Sequence, residues 1–129
     1  MPPTILVVDD DSGVRHVLVE ALVDAGYAIE QASDGLIALR LIAREVPDLI
    51  LSNVRMPGLD GIGLATILAP HTPPIPIILM SANPLPYGCA QPFIRKPFEL
   101  EALLTLMART LPISAVVTVA LTELDAASG

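Results

Sequence analysis

Four short stretches of the chain carry side chains that could act together chemically. They are the acidic run Asp9-Asp10-Asp11, the amide Asn53 with Arg55-Met56-Pro57 just after it, the hydroxyl of Ser81, and Lys96, which is the single lysine of the sequence. Adjacent carboxylates can hold a hard cation through oxygen, and an ammonium is a point charge suited to pairing with an anionic oxygen. Each stretch also has an ordinary reading. An acidic triplet is commonly a solvated loop, Asn or Ser at a strand end is commonly a turn former, and a solitary lysine is commonly a surface charge. What decides between the readings is where the elements of the chain put these residues.

Thr4-Ile5-Leu6-Val7-Val8 is a β-branched run that ends in the acidic triplet and reads as a buried strand. A helix follows, capped by Asp11 or Ser12, with Val14, Val17, Leu18, Ala21, Leu22 and Ala25 on one face and Gly26 closing it. Tyr27 to Ala32 reads as a second strand. Asp34-Gly35 leads into a second helix, about Leu36 to Glu45, which Pro47 stops. Asp48 to Asn53 reads as a third strand. Asp60 caps a short third helix, about Gly61 to Ala69, weakened by Gly61 and Gly63. Ile75 to Met80 reads as a fourth strand and Phe93-Ile94-Arg95 as a fifth. The last helix carries Leu100, Leu103, Leu104 and Met107 on one face, with Glu99 and Glu101 at its start and Arg109 near its end, matching the helix dipole.

Strands alternating with helices predict a parallel sheet with helices on both faces and right-handed crossovers. The expected class is α/β, a flavodoxin-like, doubly wound, five-stranded parallel sheet of order 2-1-3-4-5. The segment 81–92 holds Pro84, Pro86, Gly88 and Pro92, so the fourth helix of such a fold is expected to be shortened or missing. In open parallel sheets ligands bind beyond the carboxyl ends of the strands, where the strand order reverses. The predicted strand ends bring Asp9, Asp10, Asn53, Ser81 and Lys96 to that one crevice, which makes the separate ordinary readings hard to sustain together.

Ile5-Leu6-Val7-Val8-Asp9-Asp10-Asp11, Arg55-Met56-Pro57-Gly58-Leu59-Asp60-Gly61 and Lys96-Pro97-Phe98, in this order, resemble the receiver domains of response regulators in two-component signalling. The resemblance covers about Thr4 to Arg109, within a domain expected over residues 1–111. It implies that Asp9, Asp10, the residue at 53 and the carbonyl of Arg55 form a Mg²⁺ site, with Asp10 the more direct ligand. It implies that Ser81 is the hydroxyl that turns toward a phosphoryl group, that Lys96 pairs with that group before a cis proline, and that Phe93 takes the place of the switch aromatic. The departure is Asn53. The resemblance puts the phosphate-accepting aspartate there, three residues before Met56-Pro57. An amide oxygen is a poor nucleophile, so no catalytic residue is assigned. Asp9 and Asp10 with Lys96 leave the pocket a formal charge of −1, and a carboxylate at 53 would make it −2. Mg²⁺ binding is therefore expected to be weak or absent.

The leading expectation is a degenerate receiver that is not an enzyme and works as a protein-interaction module. An alternative is a receiver that accepts phosphoryl groups on Asp10 or Ser52, or one in which Asn53 itself replaces an aspartate. A small-ligand site is less well supported, because the acidic triplet after the first strand repels phosphate. Net charge is −7, with seven Lys+Arg against fourteen Asp+Glu, and aromatics are 3%, which argues against direct nucleic-acid binding. Mean hydropathy is +0.65, yet the apolar runs are short and none reaches the length of about 18 residues that a spanning helix needs. Met1 to Thr4 carries no signal-peptide pattern. Cys89 is unpaired and His16 and His71 are isolated, so neither a disulfide nor a zinc site is expected, and a cytoplasmic location is. A histidine kinase or another signalling protein is the expected partner, and a homodimer is possible. The stretch 112–129 is an apolar tail, with packing on the domain, pairing with a partner and the start of a longer polypeptide as its three open readings.

Overall fold

The computed structural model describes residues 2–85 and 91–112. Its elements are β1 (Thr4–Val8), α1 (Ser12–Asp24), β2 (Ala28–Ala32), α2 (Gly35–Arg44), β3 (Leu49–Asn53), α3 (Gly61–Leu68), β4 (Ile77–Ser81), β5 (Phe93–Arg95) and α4 (Leu100–Thr110). The five strands form one parallel sheet in the order β2-β1-β3-β4-β5, as the alternation of strand and helix patterns requires. The fold class and strand order expected from the sequence are those observed.

The sheet is buried on both faces, and the period-two alternation of each strand sorts its side chains between two cores. Leu6, Val8, Ile50, Ile77 and Leu79 point to the side covered by α2 and α3. Ile5, Val7, Leu49, Leu51, Ile78 and Met80 point to the side covered by α1 and α4. This explains how an acidic chain can carry so much hydrophobic sequence: the central strands expose almost none of it.

Carboxylates start three of the helices. Asp11 accepts from the N–H groups of Gly13 and Val14, Asp34 from Ile37, and Asp60 from Gly63. The cap of α1 is thus Asp11 rather than Ser12. Ala25 is its C-cap, followed by Gly26 with a φ of 101°, the left-handed geometry that favours glycine after a helix. The fourth strand starts at Ile77 and not at Ile75, because Pro76 has no N–H to give a ladder; its carbonyl instead accepts from Ile50. The apolar face of α1 is only partly buried. Val14 is 39% and Val17 66% exposed, and only Leu18 and Leu22 of that helix are buried.

Among the described residues no helix lies between β4 and β5; 82–85 and 91–92 are bends and irregular chain, and 86–90 fall outside the described residues. Leu85 packs against the α2–α3 core in that place. Phe93 and Arg95 of β5 are exposed, while Ile94 between them packs toward the α1–α4 side. Among the described residues no helix is long and apolar enough to cross a membrane. Apart from Pro112, the apolar stretch 112–129 lies outside the described residues.

Gly61 and Gly63 of α3 differ in whether a side chain could take their place. A Cβ on Gly61 would strike the carbonyl oxygen of Asn53, which is backbone at the end of β3 and cannot step aside. A Cβ on Gly63 would meet mainly Cδ1 of Leu59, which can rotate away. Gly61→Ala is therefore expected to cost about 1–3 kcal/mol in urea unfolding. Gly63→Ala is expected to stay within about 0.5 kcal/mol of the parent, because better helix propensity offsets the contact.

Candidate functional site

The register of the sheet aligns the strand ends. Val8 lies opposite Ser52, Asn53 opposite Met80, and Ser81 opposite Arg95. Backbone bonds continue the alignment past the strands: Asp9 N–H donates to the Ala32 carbonyl, Val54 N–H to Met80, and Lys96 N–H to Ser81. Asp9, Asn53, Ser81 and Lys96 therefore stand side by side at one end of the molecule, beyond the carboxyl ends of β1, β3, β4 and β5.

Lys96 is the centre of the cluster. Its Nζ donates to Oδ1 of Asn53 at 2.8 Å and lies 3.7 Å from Oδ2 of Asp9. Asp9 is 1% exposed. Its Oδ1 accepts from the Asp11 N–H at 3.0 Å, whereas its Oδ2 is buried without a hydrogen bond. Nδ2 of Asn53 donates to the Arg55 carbonyl at 2.8 Å. The peptide bond from Lys96 to Pro97 is cis, as the resemblance implied. At an effective dielectric near 20, opposite unit charges about 4 Å apart attract by about 4 kcal/mol before desolvation is counted. The Lys96 ammonium is thus the natural counter-charge of the buried Asp9.

The other expected site residues divide. Asp10 is exposed on the loop after β1, and Asp11 uses its carboxylate to cap α1. Ser81 is at the right strand end, but its hydroxyl faces its own loop: it donates to the Asn83 carbonyl at 2.7 Å and accepts from the Asn83 N–H at 3.1 Å. Ser52, considered as a substitute acceptor, is fully buried, and its Oγ donates to the Asn53 carbonyl at 3.0 Å. No phosphodonor reaches it in this conformation. Phe93 is 46% exposed on the outer strand.

One contributor was not read from the sequence. Arg15, in the first turns of α1, donates through Nη1 to the Asp9 carbonyl at 2.6 Å and through Nε to Oε1 of Gln31 at 3.0 Å. It ties the loop after β1 to β2 and so fixes the backbone that aims Asp9. The signal available was a basic residue one helical turn beyond an acidic loop, which alone does not say where the guanidinium points. Beside this cluster runs an apolar groove lined by Val14, Val17, Leu18, Pro97 and Phe98, which accounts for the exposed valines of α1.

The comparisons agree with this geometry. A model described as the response regulator receiver domain matches residues 5–108. The response regulator MprA of Mycobacterium sp. (strain KMS) is 40% identical over 137 aligned positions, covering 97% of this chain and 59% of that protein. The DNA-binding transcriptional regulator NtrC of Escherichia coli K12 is 34% identical over 113 positions, covering 81% of this chain and 24% of that protein. The chain thus spans little more than half of the first relative and about a quarter of the second. Among solved structures, the chemotaxis protein CheY4 of Vibrio cholerae superposes with a TM-score of 0.77 at 29% identity, covering 86% of this chain and 100% of that one. The receiver domain of the sensor histidine kinase PA1611 from Pseudomonas aeruginosa, solved with magnesium coordinated in its active site cleft, superposes with a TM-score of 0.77 at 27% identity over 85% of this chain and 98% of its own. The chain belongs to the response regulator receiver family.

Magnesium demands near-octahedral oxygen coordination and gives up its waters reluctantly. Two of the donors the resemblance assigns to it, Asn53 Oδ1 and the Arg55 carbonyl, are engaged within this pocket. Asn53 Oδ1 accepts from Lys96, the Arg55 carbonyl accepts from Asn53, and Asp10 is on the exposed loop, which leaves Oδ2 of Asp9 as the one buried oxygen without a hydrogen bond. Among the described residues no three His, Cys, Asp or Glu side chains come together as a metal-holding group. As arranged, the residues do not fit a resident magnesium ion.

Removing the Lys96 charge leaves Asp9 buried and unpaired. Breaking a fully buried pair costs about 3–5 kcal/mol. The Lys96 side chain is 27% exposed, so Lys96→Met is expected to cost less, about 2 kcal/mol, in chemical denaturation. Asp9→Asn in the same chain is expected to recover most of that loss, which a double-mutant cycle measures.

Proposed function

We propose that this receiver domain does not run the standard aspartyl phosphorylation and serves as a signalling protein-interaction module, held in one state or moved by an input other than an acyl phosphate. The observation that carries this reading is the neutral Asn53 at the end of β3, hydrogen-bonded to the lysine that would otherwise meet a phosphoryl group. Asn53 stands where the family's phosphate acceptor stands, and a carboxamide oxygen does not form a stable bond to phosphorus as a carboxylate does. On this reading the domain has no catalytic residue of its own and is not an enzyme, and Mg²⁺ binds weakly or not at all.

Receiver domains interact with histidine kinases and other signalling proteins, and the partner proposed here is of that kind, in the cytoplasm. Supporting features are the exposed Phe93 and Leu100 on β5 and α4 and the exposed Val14 and Val17 on α1, which are apolar surface of the sort protein partners cover. The −7 net charge supports a protein partner over direct contact with nucleic acid. The name of NtrC states a transcriptional role for that protein, of which this chain covers 24%.

Treatment with acetyl phosphate and Mg²⁺, followed by intact-mass analysis, tests the reading. The chain is expected to show no added phosphoryl group, and Asn53→Asp is expected to gain one. A hydroxylamine-labile phosphoryl group on the unaltered chain would overturn the proposal, and peptide mapping would show whether Asp10 carries it.

A further inference from the structure

The hydrogen-bond chemistry around Asn53 is one-sided. Lys96 has three donors and no acceptor, and the Arg55 carbonyl only accepts. The carboxamide lies between them, 2.8 Å from each. Only one orientation satisfies both neighbours, with Oδ1 toward Lys96 and Nδ2 toward Arg55. A carboxylate of the same shape would keep the contact to Lys96 but turn an acceptor oxygen toward an acceptor carbonyl. Two such oxygens at hydrogen-bond distance repel unless a cation or a water lies between them. It would also add a negative charge beside Asp9, whose Oδ2 already lacks a hydrogen bond and whose cation, Lys96, is 3.7 Å away. Asn53 therefore fits this pocket as it stands, and an aspartate does not fit without an added cation.

We infer that the Asn53 carboxamide, bridging Lys96 Nζ and the Arg55 carbonyl, closes the pocket as a metal-independent lock between the ends of β3 and β5, with Asp9 after β1 held through Lys96, so that Mg²⁺ neither stabilises nor reshapes the domain. The lysine supplies the positive charge and the amide N–H group supplies the donor that the Arg55 carbonyl needs. The inference shares Asn53 with the proposed function but does not depend on the absence of phosphorylation, and its test uses no phosphodonor.

Thermal unfolding of the full chain in EDTA and in millimolar MgCl2, with ionic strength matched by KCl, reads the lock directly. The parent is expected to unfold at the same temperature in both. Asn53→Asp is expected to unfold at a lower temperature than the parent in EDTA and to recover in MgCl2, binding Mg²⁺ at least about tenfold more tightly than the parent, a difference of about 1.4 kcal/mol. Asn53→Ala, which loses both hydrogen bonds and adds no charge, is expected to be lowered equally in both buffers. Stabilisation of the parent by Mg²⁺ comparable to that of Asn53→Asp would overturn the inference, as would Asn53→Asp matching the parent in EDTA. If Asn53→Asp does not fold in either buffer, amide NMR of the parent decides. Unchanged signals for Asp9, Arg55 and Lys96 across the MgCl2 titration support the lock, and saturating shifts at those residues overturn it.

Discussion

The hydrogen bond from Lys96 to Asn53 joins residues 43 positions apart, and the arrangement of the whole domain is what makes it possible. Neither residue has a neighbour in sequence that would bring it to the other. They meet because β3, β4 and β5 are adjacent and in register, and because the backbone of Lys96 is held on the Ser81 carbonyl at the last rung of the ladder. The two apolar cores fix that register: a shift of one residue in β4 would exchange Ile77 and Leu79 with Ile78 and Met80 between the α2–α3 side and the α1–α4 side. Burial of uncharged strands thus places the charges.

Much of this was legible in the sequence. β-Branched runs ending in Asp or Asn marked strands and their ends, Asp60 marked the cap of α3, and the alternation of elements forced the parallel sheet. Site residues could be listed because the fold sends every strand end to one side. What the sequence left unread were directions. It could not choose between Asp11 and Ser12 as the cap of α1. It could not show that the Ser81 hydroxyl turns to Asn83, since a short polar side chain at a strand end has several local partners of similar energy. Arg15 was missed because a long flexible side chain can reach any of several acceptors. Helical periodicity gave the apolar face of α1 but not its burial, because part of that face borders the groove beside Pro97 and Phe98 instead of the core.

Charge explains why Lys96 matters beyond its one hydrogen bond. A buried carboxylate with one oxygen lacking a hydrogen bond is unfavourable unless a cation is close, and among the described residues Lys96 meets that condition for Asp9. Arg15 holds the Asp9 carbonyl and not its carboxylate, so the two cations have separate work: one fixes where the acid points, the other balances its charge. A third acid at position 53 would change this balance from one net negative charge to two in a pocket with one ammonium.

The neutral residue at 53 and the unusual segment after β4 bear on the same physical question, which is how a change in the pocket would reach the surface. A route from pocket to surface needs an element with two arrangements of similar free energy. Here the Ser81 hydroxyl is satisfied twice by Asn83, the Asn53 amide is satisfied at both ends, and no helix covers β5 beside Phe93 among the described residues. A side chain with its hydrogen bonds filled needs a competing partner before it moves, and the phosphoryl oxygens that would compete for Ser81 and Lys96 have no carboxylate at 53 to hold them. The neutral amide at 53 and the twice-bonded Ser81 hydroxyl therefore bear on the proposed reading in the same direction, a surface presented in one form to the protein that reads it.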